Sequence, residues 1–202
     1  PGNGGFESQY RPNSGGQVYG RVDTSGDFVI RSGGDAATLN GTWHNIQYIW
    51  DFNGLPALDG GGSLRIYIDG VESGYLTGFT PTDLAWGSIV NTVNGLMNVG
   101  RDPGDASRYF DGQMDDIAWY NEVLTAAERF EIRTAGVEQA QINLGGALNA
   151  IGGGGNLVAS WNFDSAPLGD NTYAGDNGTG IVLYLQQLPP TPPVSGYGVY
   201  TP

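Results

Sequence analysis

The chain has 202 residues, 39% of them hydrophobic, enough to bury a full core in one large domain or a domain with an appendage. Thirty-five glycines and only 14% charged residues favour many turns between short strands over long helices. All eight basic residues are arginine, against 21 acids and a formal net charge of -13; such a surface repels nucleic acid and anionic membranes, and the absence of cysteine rules out disulfides and thiolate chemistry.

No apolar run approaches the ~20 residues that span a bilayer, and the start does not read as a signal peptide. A chain that opens on Pro1 reads as processed, trimmed or a portion of something longer. After a loose lead-in over Pro1 to Gly5, Val18 to Val22 and Asp27 to Arg31 are predicted strands joined at Thr24-Ser25-Gly26. Thr42 to Trp50 (TWHNIQYIW) has a period of two with bulk on both faces, as in a central strand, with Trp43 as a core side chain. In SLRIYIDG, Leu64, Ile66 and Ile68 alternate with Arg65, Tyr67 and Asp69 before Asp69-Gly70 turns the chain. Leu96 to Val99 and Gly112 to Tyr120 are further predicted strands, separated by a polar loop over Arg101 to Arg108.

Thr125 followed three residues later by Glu128 is a capping box, which predicts one short helix near 125–135, from about Ala126 to Thr134 and stopping near Gly136. Val137 to Gly155 is small and Gly-rich. NLVASWNFD resumes a strand pattern at Asn156, Ser165 to Gly180 is turn-rich, and Ile181 to Gln186 is the last predicted strand. The tail PPTPPVSGYGVYTP holds five of the eleven prolines and is predicted to be extended. The predicted organisation is a sandwich over 1–136, a Gly-rich linker over 137–155, a strand segment over 156–187 that completes this or a neighbouring sandwich, and a Pro-rich tail over 188–202.

The series GTWHNIQYIWD, LRIYIDGVESG, NVGRD and YFDGQMDDIAWYNEVLTAAE, spanning roughly Gly41 to Ile132, resembles the laminin-G-like jelly roll of the concanavalin A-like lectin and glucanase architecture. The resemblance implies an all-β fold, an antiparallel jelly-roll β-sandwich carrying the one helix and the extended tail. One departure stands out. The family's opening pattern, Leu-Val-Ala-x-Trp-x-Phe-Asp, lies here at Leu157 to Asp164. A tandem array, a circular permutation and a strand completing the sheet of an adjacent subunit each account for the displacement.

Related glucanases use a Glu pair on one strand; the glutamates here, Glu7, Glu72, Glu122, Glu128, Glu131 and Glu138, form no such array, and Asp115 and Asp116, as strand neighbours, point to opposite faces. The chain is therefore read as not an enzyme. His44 is the only histidine and reads as structural or surface. The resemblance implies Ca²⁺ at the rim, with Asp102, Asp105 and Asp51, or Asp59, as hard oxygen donors. Asp111, Asp115 and Asp116 are expected to shape and solvate the rim strand. Trp86, Tyr109, Tyr75 and Phe52 are the aromatic candidates for stacking on a sugar face, and NGT sequons occur at Asn40 and Asn177.

The function implied is a non-catalytic lectin-like module for glycan binding or adhesion, extracellular, on a cell surface or on a virion. Its expected partners are a glycan or surface protein and, in a homo-oligomer, neighbouring copies; nucleic acid and membrane insertion are not expected. The alternative is a structural assembly subunit, a capsid decoration, tail or filament protein, held to neighbouring copies by strand exchange and the tail.

Overall fold

The computed structural model describes residues 5–11, 17–23, 27–31, 39, 41–51, 63–76, 97–99, 110, 112–150, 153–163, 172–174 and 182–185. The chain divides into two units, Pro1–Val93 and Asn94–Pro202.

In the first unit, β1 (Gly5–Arg11), β2 (Gln17–Asp23) and β3 (Asp27–Arg31) form an antiparallel meander. The predicted hairpin closes at the Asp23↔Asp27 pair. β1 lies where no strand is predicted, although Phe6, Ser8 and Tyr10 alternate with Glu7, Gln9 and Arg11 at a period of two, and its register sets Glu7 opposite Arg21.

A second antiparallel sheet has the order β4 (Ile46–Asp51), β5 (Ser63–Ile68), β6 (Val71–Leu76). β5, not β4, is thus the middle strand among the described residues. Asp69 and Gly70 join β5 to β6 with φ of 52° and 80°, the two left-handed residues that a two-residue hairpin of this twist demands. Both faces of β5 are covered: Ile66 is fully buried, and so is its neighbour Arg65. The Arg65 charge is offset by Glu72 of β6, whose carboxylate lies 2.6 Å from the guanidinium and also accepts from the Tyr67 hydroxyl at 3.2 Å.

These two sheets stack. β3 lies close to β5 and β6, and β2 approaches β4 so closely that a Cβ on Gly20 would sit 2.9 Å from the Tyr48 ring and 3.5 Å from Ile66 Cδ1. The Tyr48 hydroxyl reaches across to Ser8 of β1 and to the Tyr19 carbonyl of β2 at 3.5 Å. Burial pushes the Tyr48 pKa up to about 12, with the Ser8 hydrogen bond acting weakly the other way. Val18, Tyr19, Ile49 and Ile66 complete the buried layer.

In the second unit, β8 (Ile117–Tyr120) pairs antiparallel with β9 (Leu157–Trp161), and β11 (Val182–Leu185) pairs antiparallel with β10 (Thr172–Ala174). β10 falls within the segment expected to be turn-rich. β11 also pairs in parallel with β7 (Met97–Val99), a departure from the purely antiparallel expectation. The long chain between β7 and β11 supplies the crossover that a parallel pair requires.

The expected capping box is formed. Thr125 Oγ1 accepts from the Glu128 N–H and the Glu128 carboxylate accepts from the Thr125 N–H, opening α1 (Ala126–Ala135), which stops at Gly136. A second helix, α2 (Val137–Leu144), follows at once, then a 3-10 turn over Gly146–Leu148. The expectation of a single helix is therefore corrected. Val137, Ala140 and Leu148 turn inward, and Ala140 and Leu148 pack with Leu124 into a small core bordered by Tyr120, Ile132 and Ala147.

β9 is buried along one face: Leu157, Ala159 and Trp161 are almost wholly enclosed. Among the described residues the buried tryptophan is Trp161. Trp43, expected in the core, precedes β4 and is 48% exposed, because the extended pairing that buries alternate side chains begins only at Ile46.

Candidate functional site

Asp115 and Asp116 lie immediately before β8. The strand they were expected to sit on begins only at Ile117. Asp116 is left-handed, with φ 49°, and its backbone N–H donates to Asp115 Oδ1 at 2.9 Å. The two carboxylates are therefore not displayed on opposite faces of a strand. Asp116 Oδ2 accepts from the Val137 N–H at 3.3 Å, at the start of α2.

Gly136, the residue before that helix, has φ 83° and contributes no side-chain cap; a Cβ there would lie 2.6 Å from Asp116 Oδ2. Asp116 thus caps the first N–H of α2 in place of a side chain on its glycine N-cap, from 21 residues upstream. Its charge also falls on Tyr120, whose pKa is raised by burial first, then by Asp116 and Glu128.

A second polar cluster stands at the β5–β6 turn of the first unit. Asp69 holds the approach to β4 at three points: its N–H donates to the Asn45 carbonyl at 2.9 Å, its Oδ1 accepts from the Asn45 N–H at 2.9 Å, and its Oδ2 lies 2.7 Å from His44 Nδ1. On the other side of the imidazole, Nε2 lies 2.7 Å from Thr42 Oγ1. The sequence places this cluster well: the Asp-Gly turn fixes Asp69 at the hairpin tip, and the Ile46↔Ile68 register brings the residues before β4 alongside it.

Thr42 and Trp43 are exposed, His44 retains 18% of its side-chain surface and Asp69 retains 46%. Polar donors and acceptors and an exposed tryptophan therefore share one end of the sheet. The expectation that His44 is structural or surface omits its partners, which are 2 and 25 residues away in the chain.

Of the sequence-predicted site residues, Asp102, Asp105, Asp59, Asp111, Trp86, Tyr109 and Phe52 lie outside the described residues. Asp51 is the last residue of β4, opposite Ser63, and Tyr75 of β6 is opposite Arg65. The backbone thus brings Asp51 and Tyr75 to the same end of the sheet, away from the Asp69 turn. Among the described residues no group of three or more His, Cys, Asp or Glu side chains gathers to hold a metal ion. No helix among them is long and apolar enough to cross a membrane.

The stacked antiparallel sheets and the Tyr-x-Asp-Gly turn have their counterpart among known proteins. The chain belongs to the concanavalin A-like lectin/glucanases superfamily: a family model of the laminin G type, carrying that description, matches residues 1–128. Membership implies a β-sandwich and points to a module of the carbohydrate-binding or adhesion type. No curated protein and no solved structure matches the chain. β9 lies beyond the matched residues, yet it is the partner of β8, which lies within them.

Proposed function

We infer that the chain is a glycan-binding module whose sugar contact is the Trp43, His44 and Asp69 end of the first unit. The observation that carries this reading is the 48% exposure of Trp43, the residue before an imidazole that a carboxylate orients. Sugars present an apolar C–H face that stacks on an indole and a rim of hydroxyls that pairs with fixed acceptors and donors. An indole at 48% exposure in a chain that buries Trp161 at 2% is set apart from the core.

The wider surface belongs to the same proposal. Trp86, Tyr109, Tyr75 and Phe52 extend the aromatic contact, and Asp102, Asp105 and Asp51 supply the hard oxygens for Ca²⁺. Adhesion on an extracellular, cell or virion surface is the setting that suits such a module.

A glycan array tests the reading. Binding is expected with the intact chain and is expected to fall at least tenfold in Trp43→Ala, the loss of one stacking contact being worth about 1–2 kcal/mol. Chelation and Asp102→Ala with Asp105→Ala test the calcium contribution separately. An array with no bound glycan overturns the proposal. The assembly reading, with copies locked by strand exchange, stands second. An ordered oligomer in size-exclusion chromatography that dissolves on deleting residues 188–202 would restore it.

A further inference from the structure

We propose that Thr42 is an acyl-accepting nucleophile, activated by His44 and Asp69, which removes ester groups from an acylated saccharide. The saccharide part rests on the glycan-binding reading; the nucleophile rests on geometry alone.

The geometry fixes the roles in order. Asp69 Oδ1 is anchored by the Asn45 N–H at 2.9 Å, which leaves Oδ2 directed at His44 Nδ1 at 2.7 Å. A carboxylate only accepts, so Nδ1 carries the imidazole hydrogen and Nε2 keeps its lone pair. That lone pair faces Thr42 Oγ1 at 2.7 Å, and the hydroxyl donates to it. Hydroxyl, base and an orienting carboxylate in hydrogen-bonded series supply the nucleophile, the general base and the orienting group of acyl transfer to an alcohol.

Access agrees with the assignment. Thr42 is exposed, and its neighbour Gly41 has φ 82° with open space around the position of a Cβ.

The reaction balances without a further reagent. Thr42 Oγ1 bonds to the ester carbonyl carbon while its proton passes to His44 Nε2. The bond from that carbon to the alkoxy oxygen breaks, and the sugar hydroxyl leaves with the proton from His44. Water then adds to the acyl-threonine with His44 again taking the proton. The carboxylic acid departs and Thr42 is restored. Thr42 and His44 are the catalytic residues; Asp69 is a positioning residue.

The test uses the full chain with p-nitrophenyl acetate, which carries no saccharide, so its outcome is independent of glycan binding. The chain has no lysine, which removes the usual competing amine side chains. Peptide mass spectrometry is expected to find one acetyl group on Thr42, retained in Thr42→Ser and lost in Thr42→Ala. His44→Gln is expected to slow acylation by a hundredfold or more, roughly the contribution of one general base. Free imidazole is expected to restore the rate in His44→Ala, which a purely structural histidine would not allow. Asp69→Asn is expected to slow acylation, and Asp69→Glu to recover part of it, with the unfolding midpoint as control. Acetylation elsewhere, or a Thr42 rate unchanged in His44→Gln, overturns the proposal.

Discussion

Gly20→Ala is the sharpest probe of the stacked sheets in the first unit. No left-handed φ holds the position as glycine, so alanine would adopt its backbone freely. Removing a strand glycine restricts the unfolded chain and by itself stabilises by roughly 0.5–1 kcal/mol. Against that, the new Cβ would lie 2.9 Å from both Cδ1 and Cε1 of Tyr48.

The ring cannot swing aside cheaply, because its hydroxyl is held by Ser8 and the Tyr19 carbonyl. Over-packing of this kind costs about 1–3 kcal/mol, so the net expectation is a loss of about 1–2 kcal/mol. Denaturant titration should show a lower midpoint with an unchanged slope. In a Tyr48→Val background the same change should cost nothing, giving a coupling of roughly 1–2 kcal/mol. A Gly20→Ala chain as stable as the parent, or more so, would refute the close approach of β2 and β4.

Three further outcomes follow from the same packing. Tyr48 is neutral and buried, with its pKa moved from 10.0 up to about 12, so its contribution is complete below pH 10 and lost as pH rises through about 12. Phenolate absorbance should therefore show Tyr48 titrating late, alongside the likewise raised Tyr120, with unfolding over that window; Tyr48→Phe removes one of the two late-titrating groups. Glu72→Gln leaves the buried Arg65 guanidinium without its anion and should cost about 2 kcal/mol by denaturant titration, the difference between a charged and a neutral hydrogen-bond partner. Asp116→Ala removes the α2 cap and should cost about 1–2 kcal/mol with a loss of helical circular dichroism, whereas Asp116→Asn, which keeps an acceptor and tolerates a left-handed backbone, should cost less than half as much.

Local chemistry was legible in the sequence. The Thr125–Glu128 capping box, the Asp69-Gly70 turn and the β2–β3 hairpin each depend on residues within a few positions of one another, and each lies where it was expected. What was not legible depends on distant partners. α2 has only a glycine before it, and nothing near Val137 announces that Asp116 will cap it. Arg65 sits in an alternating strand as a solvent-facing residue until the β-hairpin folds Glu72 over it. Trp43 and Ile46 look alike as large apolar residues beside a strand, and only the first paired position separates the platform from the sheet.

The candidate site divides the same way. His44 and Asp69 were each noticed, one as an isolated histidine and one as a turn residue, but a register across two strands was needed to place them 2.7 Å apart. Trp161 has the opposite history: its strand pattern was read from NLVASWNFD, while its burial follows from the pairing with β8.

The most direct test of the glycan-binding account is the response of individual indole N–H signals in NMR while an oligosaccharide that binds the chain is titrated in. The account predicts that the Trp43 signal shifts in proportion to saturation, that the buried Trp161 signal stays in place, and that Trp43→Ala abolishes the titration. Binding that leaves Trp43 unmoved and survives Trp43→Ala would contradict it.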